Sequence, residues 1–236
     1  SDLLVVSACT SMFRSCTSLI TAPELLATTL SNNCCSFMFS GCTALTTAPS
    51  ILPAMTLAEG CYSNMFRDCK LLTTGPELPA TALAKGCYSS MFSDCRSFNN
   101  APILPATTLT NSCYYHMFYK CGNLDKIVCY ATDISASECT KEWVYNVKQN
   151  GMFFKNPSMT SWSRSTSGIP VNWTVRDEPY IDVTGVTISV SEATVEKGSA
   201  YTLTATVLPS NADDKVVSWT SSDSNVATVD SNGVVS

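Results

Sequence analysis

A Met-Phe pair recurs at Met12-Phe13, Met38-Phe39, Met65-Phe66, Met91-Phe92 and Met117-Phe118, at steps of 26, 27, 26 and 26 residues. No other feature limits the fold as much. One short unit written five times must build one local structure five times, and a unit of this size cannot bury its own apolar side, so the copies stack. The longer step comes from one extra residue in Ala48-Pro49-Ser50-Ile51-Leu52-Pro53, whose counterparts are Gly75-Pro76-Glu77-Leu78-Pro79 and Ala101-Pro102-Ile103-Leu104-Pro105. The repeat also explains the unusual cysteine content. Of 13 cysteines, Cys16, Cys42, Cys69, Cys95 and Cys121 follow the Met by four, and Cys34, Cys61, Cys87 and Cys113 precede it by four. Cys9 and Cys35 share the column of Tyr62, Tyr88 and Tyr114, which leaves only Cys129 and Cys139 outside. An apolar residue follows the Met by seven: Leu19, Leu45, Leu72, Phe98 and Leu124.

Each unit has two halves. Leu57, Cys61, Met65 and Cys69 stand four apart, with Tyr62 and Phe66 widening the stripe, and this spacing predicts an amphipathic helical segment. Thr28, Thr81 and Thr107 are placed to cap such helices. The other half is short and broken by proline, which cannot donate to a sheet ladder, so only brief extended segments are expected there. The expected fold is an α/β leucine-rich-repeat solenoid of about five repeats over residues 1–139. Helices packed about 8–10 Å apart would hold the cysteines beyond disulfide reach, and most thiols are expected to be reduced.

The period and the F-x-x-C-x-x-L core resemble the bacterial leucine-rich repeats of BspA-like surface proteins, over about residues 3–139. The strand pattern of such repeats, L-x-x-L-x-L, is met only in the last unit, by Leu124, Ile127 and Cys129; Pro23, Pro49, Pro76 and Pro102 should stunt the others. The resemblance implies a bacterial surface or secreted location.

Residues 140–176 read as a C-terminal cap: a short helix from Thr140 to Val147, a strand at Met152-Phe153-Phe154, and a Ser/Thr/Gly loop flanked by Trp162 and Trp173. Residues 177–180 read as a linker. From 181 to 236 cysteine vanishes and period-two alternation begins, with strand candidates at Thr187–Val190, Tyr201–Val207, Val216–Trp219 and Val226–Val229. This is the pattern of an all-β Ig-like sandwich. Gly198, Leu203, Pro209, Trp219-Thr220-Ser221-Ser222-Asp223, Val226-Ala227-Thr228-Val229-Asp230 and Gly233-Val234-Val235 resemble the bacterial Ig-like group 2 module, expected here to be cut short at Ser236. The opening Ser1-Asp2 carries no basic signal region, which reads as a mature or excised fragment.

Function is narrowed by exclusion. A net charge of −5 without a Lys/Arg cluster argues against nucleic acid and anionic lipid, and no apolar run is long enough for membrane insertion. Cys113, His116 and Cys121 have zinc-like spacing, but the His116 column holds Phe37, Asn64 and Ser90 in sister units while the cysteines persist, so no metal is expected. One histidine, no G-x-S-x-G elbow and no phosphate-binding loop leave no catalytic set and no cofactor motif. The variable polar columns of the extended half remain: Thr46, Thr47, Thr73, Thr74, Asn99, Asn100, Asp125 and Lys126 are the candidate ligand-binding residues. The expected function is non-enzymatic extracellular recognition or adhesion, with a host or bacterial surface protein or glycan as partner and the Ig-like module as spacer. Two alternatives stand beside it: a phage virion decoration or fibre protein, and an accessory binding region of a larger secreted enzyme. Homo-oligomer or virion assembly is left open.

Overall fold

A computed structural model describes residues 9–178, 183–210, 212 and 215–236. The first residues of the repeat region, Pro179 and Tyr180 of the expected linker, and Asn211, Asp213 and Asp214 of an expected turn lie outside them. The chain divides into two compact units, Ser1–Glu178 and Pro179–Ser236.

The expected α/β solenoid is overturned: no α-helix occurs among the described residues. The stripe of four-residue spacing is instead a run of overlapping four-residue turns. In one coil Ser36, Met38 and Ser40 donate their N–H groups three residues back, to the carbonyls of Asn33, Cys35 and Phe37. The residues between them, Cys35, Phe37, Phe39 and Gly41, donate to Cys61, Ser63, Met65 and Arg67 of the next coil. Backbone donors therefore alternate between the local turn and the neighbouring coil, which satisfies each of them without a helix. The left-handed conformation recurs every four residues: Asn33, Phe37 and Gly41 in one coil, then Gly60, Asn64 and Asp68, Gly86, Ser90 and Asp94, Ser112, His116 and Lys120, and Glu138, Glu142 and Asn146. A type II turn needs positive φ at its third residue, and an α-helix cannot contain such residues. The three threonines assigned as helix caps accordingly have no helix to cap.

The expected helix at 140–147 is corrected in the same way. Phe118 and Lys120 donate to Trp143 and Tyr145, so these residues form one more coil in register with the repeat. Thr140 donates its hydroxyl to the Ser167 carbonyl (2.7 Å).

Stacking builds the core of the first unit. Phe13, Phe39, Phe66, Phe92 and Phe118 form a ladder with centroids 5.4, 5.5, 5.7 and 5.8 Å apart. A second ladder runs through Tyr62, Tyr88, Tyr114 and Trp143, and Trp162 stacks on Trp143 beyond it. Cys42, Cys69, Cys95 and Cys121 donate their thiols to the carbonyls of Phe13, Phe39, Phe66 and Phe92, at 3.0–3.2 Å. All 13 cysteines are free. The reason differs from helix spacing: hydrogen-bonded coils stand about 4.8 Å apart, within disulfide reach, and the thiols of Cys42, Cys69, Cys95 and Cys121 are directed at carbonyls.

The extended half follows its prolines. Units carrying Pro23, Pro49, Pro76 or Pro102 make only isolated parallel bridges. Val128 occupies that column in the next unit, and there the first strand forms, β1 (Lys126–Cys129). It pairs in parallel with β2 (Met152–Lys155), which pairs with β3 (Thr174–Asp177).

In the second unit, β4 (Gly185–Ile188) pairs antiparallel with β6 (Ala205–Leu208), and β5 (Tyr201–Thr202) with β7 (Val234–Val235). The candidate strand at Tyr201–Val207 is thus divided, that at Val216–Trp219 is not formed, and that at Val226–Val229 is reduced to a bridge from Val229 to Val235.

A candidate binding groove

The prolines that prevent strands also open a groove. Each contributes no N–H and holds φ fixed, so adjacent extended segments cannot zip along their length. The bridges that do form alternate between the two ends of the segment. They join Thr21 to Thr47, Ile51 to Glu77, Thr74 to Asn100 and Leu104 to Cys129. Between the second and third coils the threonine ends carry no bridge, and between the third and fourth the proline-leucine ends carry none. The result is a concavity of about 810 Å³ spanning three coils, a size usual for small-ligand sites. Its floor includes the buried Pro49, Pro76 and Pro102, and its rim includes exposed Thr46, Thr47, Ser50, Thr73, Thr74 and Asn100.

Glycine is required at one point of this lining. A Cβ on Gly75 would stand 2.8 Å from Phe92 Cζ and 3.2 Å from Phe98 Cζ, so the third coil lies directly on the aromatic ladder. The rim is held by polar contacts between coils. The Glu24 carboxylate accepts the Ser50 N–H at 3.0 Å and its hydroxyl at 2.9 Å. Thr46 and Thr47 both donate N–H to Ile20 O, and Asn99 and Asn100 both donate to Thr73 O.

The structure gathers five of the eight sequence candidates here: Thr46, Thr47, Thr73, Thr74 and Asn100. Asn99 is exposed but does not line the groove. Asp125 and Lys126 belong elsewhere: the Asp125 carboxylate pairs with Lys148 Nζ (2.6 Å), and Lys126 Nζ lies 5.0 Å from the centre of the Phe154 ring. Four contributors were missed, namely the proline floor, Ser50, Glu77 and Ile103. Their signal was present in the column that follows each Ala-Pro or Gly-Pro step, where Ser50, Glu77 and Ile103 vary as freely as the threonine columns do.

The zinc-like trio is drawn apart. His116 Nε2 faces Glu142 Oε2 at 2.9 Å, its ring packs against Tyr115 and Tyr119, and the Cys121 thiol is given to Phe92 O. Among the described residues no group of three His, Cys, Asp or Glu side chains is placed to hold a metal ion. The hydrogen bond with the Cys35 side chain lowers the Cys34 thiol to about 7, whereas burial pushes other thiols up, Cys113 to about 11 and Cys61 and Cys129 to about 12. Such thiols are poor nucleophiles near neutral pH.

Residues 182–236 match the family described as bacterial Ig-like domain (group 2). The chain is 46% identical over 56 residues to the kappa-carrageenase of Pseudoalteromonas carrageenovora, covering 24% of this chain and 14% of that protein. It is 47% identical over 68 residues to the 3-O-alpha-D-galactosyl-alpha-L-arabinofuranosidase of Bifidobacterium longum subsp. longum, covering 26% and 6%. It is 49% identical over 49 residues to the Ig-like virion protein of Serratia phage KSP90, covering 21% and 19%. This chain therefore spans less than one fifth of each of these relatives. No solved structure matches it.

Proposed function

We propose that this chain is a non-enzymatic recognition protein that works outside the cell, holding a surface protein or glycan in the groove of its stacked coils, with the Ig-like domain as a spacer. The observation that carries this reading is the coincidence of the groove with the columns where the repeat varies. The Phe, Tyr and Cys columns are committed to stacking, while the threonine, asparagine and serine columns are free of that duty and line an open cavity. A rim of hydroxyls and one amide, with no nucleophile and base side by side, suits binding rather than bond breaking.

The relatives favour two further readings. An Ig-like virion protein and two proteins named as polysaccharide- or glycoside-acting enzymes share a stretch with this chain. The same groove would then serve a virion, or supply a binding region to a larger enzyme. The test is to replace Thr47, Thr73, Thr74 and Asn100 together in the full chain and to measure attachment to bacterial and host cell surfaces. The variant should keep its thermal midpoint and lose attachment. Attachment indifferent to the replacement would count against the groove.

A further inference from the structure

We infer that the groove takes a neutral polysaccharide, laid along the stack with about one sugar residue per coil. The inference rests on the recognition reading above and adds the class of ligand.

Charge is the first argument. Among the residues lining the groove only Glu77 is ionisable, and it stands exposed on the central coil. One carboxylate with no lysine, arginine or histidine beside it repels sulfated, uronic or phosphorylated polymers, since like charges brought together raise the free energy of binding. The lining also holds no aromatic ring, so an aromatic cage for a quaternary ammonium is absent among these residues.

Hydrogen-bonding capacity is the second argument. The rim offers the hydroxyls of Thr47, Thr73 and Thr74 and the Asn100 amide, groups that both donate and accept, while the Ser50 and Thr46 hydroxyls, given to Glu24 and to Ile20 O, are left to accept. A polyhydroxylated ligand satisfies such a mixed set, because every sugar hydroxyl is also donor and acceptor. The fixed prolines keep the floor in one shape, which reduces the ordering cost of binding.

Spacing is the third argument. Hydrogen-bonded coils rise by about 4.8 Å, close to the length that one pyranose adds to an extended chain. The lining repeats at that rise over three coils, with Thr46 and Thr47, then Thr73 and Thr74, then Asn100.

The experiment uses the full chain and immobilised oligosaccharides: unbranched neutral glucans, mannans and galactans, their uronic and sulfated counterparts, and a set of lysine-containing peptides. A neutral series should bind, with affinity rising up to about three sugar residues. Thr73→Val with Thr74→Val, which removes two hydroxyls at little change of shape, should weaken it about tenfold. Glu77→Gln, which removes the one charge of the lining, should allow some anionic glycans to bind. Tighter binding of an anionic series or of peptides, lost in the double valine variant, would overturn the ligand class while leaving the groove as the site. Neutral glycans that bind equally well to the double valine variant would overturn both. No binding to any neutral series would overturn the inference alone, since the cell-attachment test judges the groove independently.

Discussion

Cys61 shows how a residue type chosen for packing carries a measurable signature. It is wholly buried, and burial pushes its thiol up from an ordinary 9.0 to about 12; Cys113 and Cys129 move in the same direction. Above pH 9 the unfolded chain loses these protons while the folded chain keeps them, so folding binds more protons than unfolding and stability falls as pH rises. We expect the thermal midpoint to hold from pH 7 to about 8.5 and to decline steadily from there toward the folded value near 12; a flat profile across pH 9–11 would contradict the burial. The same burial orders reactivity. Cys16 is exposed and Cys9 half-buried, whereas the other eleven are buried. A thiol reagent added to the native reduced chain should label Cys16 first and reach the buried set only on unfolding. Residue roles were legible where a column repeats: Met, Phe and Cys recur because the core demands them. Asp125 and Lys126 misled because they occupy the same columns as Asn99 and Asn100, yet Asp125 pairs with Lys148 and Lys126 lies over the Phe154 ring.

At the scale of the element, the repeat and its proline-stunted strands could be read from the sequence, and the helices could not. Leu57, Cys61, Met65 and Cys69 keep a strict spacing of four, which drifts about 40° per step around an α-helix of 3.6 residues per turn. A helical face would mix steps of three and four, while a run of turns repeats every four without drift. The second clue was the glycine, asparagine and aspartate at positions 33, 41, 60, 64, 68, 86 and 94, four or eight apart within each coil, residues that tolerate left-handed backbone. Two predictions belong here. Phe66→Ala and Phe92→Ala remove rungs of the aromatic ladder and should each cost about 3–5 kcal/mol in chemical denaturation. Gly75→Ala should cost about 1–3 kcal/mol, because its Cβ collides with the rings of Phe92 and Phe98. A neutral Gly75→Ala would mean that the groove floor does not rest on the ladder.

For the molecule as a whole, function depends on how the coil is made. Turns that alternate local and inter-coil hydrogen bonds hold successive units in register, and that register brings Thr47, Thr74 and Asn100 into one groove and Phe39, Phe66 and Phe92 into one ladder. The Ig-like domain was legible through its residue pattern, because its strands and turns carry a distinctive wording over residues 182–236. The architecture of the first unit was legible only as far as its period, since over the few steps of one coil a spacing of four stays close to a helical face. Gly86→Ala separates them by sign. Gly86 has φ of +61° and nothing within 4 Å of where a Cβ would stand, so the substitution tests the backbone alone. In a left-handed turn alanine is strained by about 1–2 kcal/mol, partly offset by a stiffer unfolded chain; in a helix the same change would stabilise by about 0.8–1 kcal/mol. Equilibrium denaturation of the full chain should find Gly86→Ala less stable than the parent by about 1 kcal/mol. A variant more stable than the parent would contradict the stacked-turn architecture and the groove built on it.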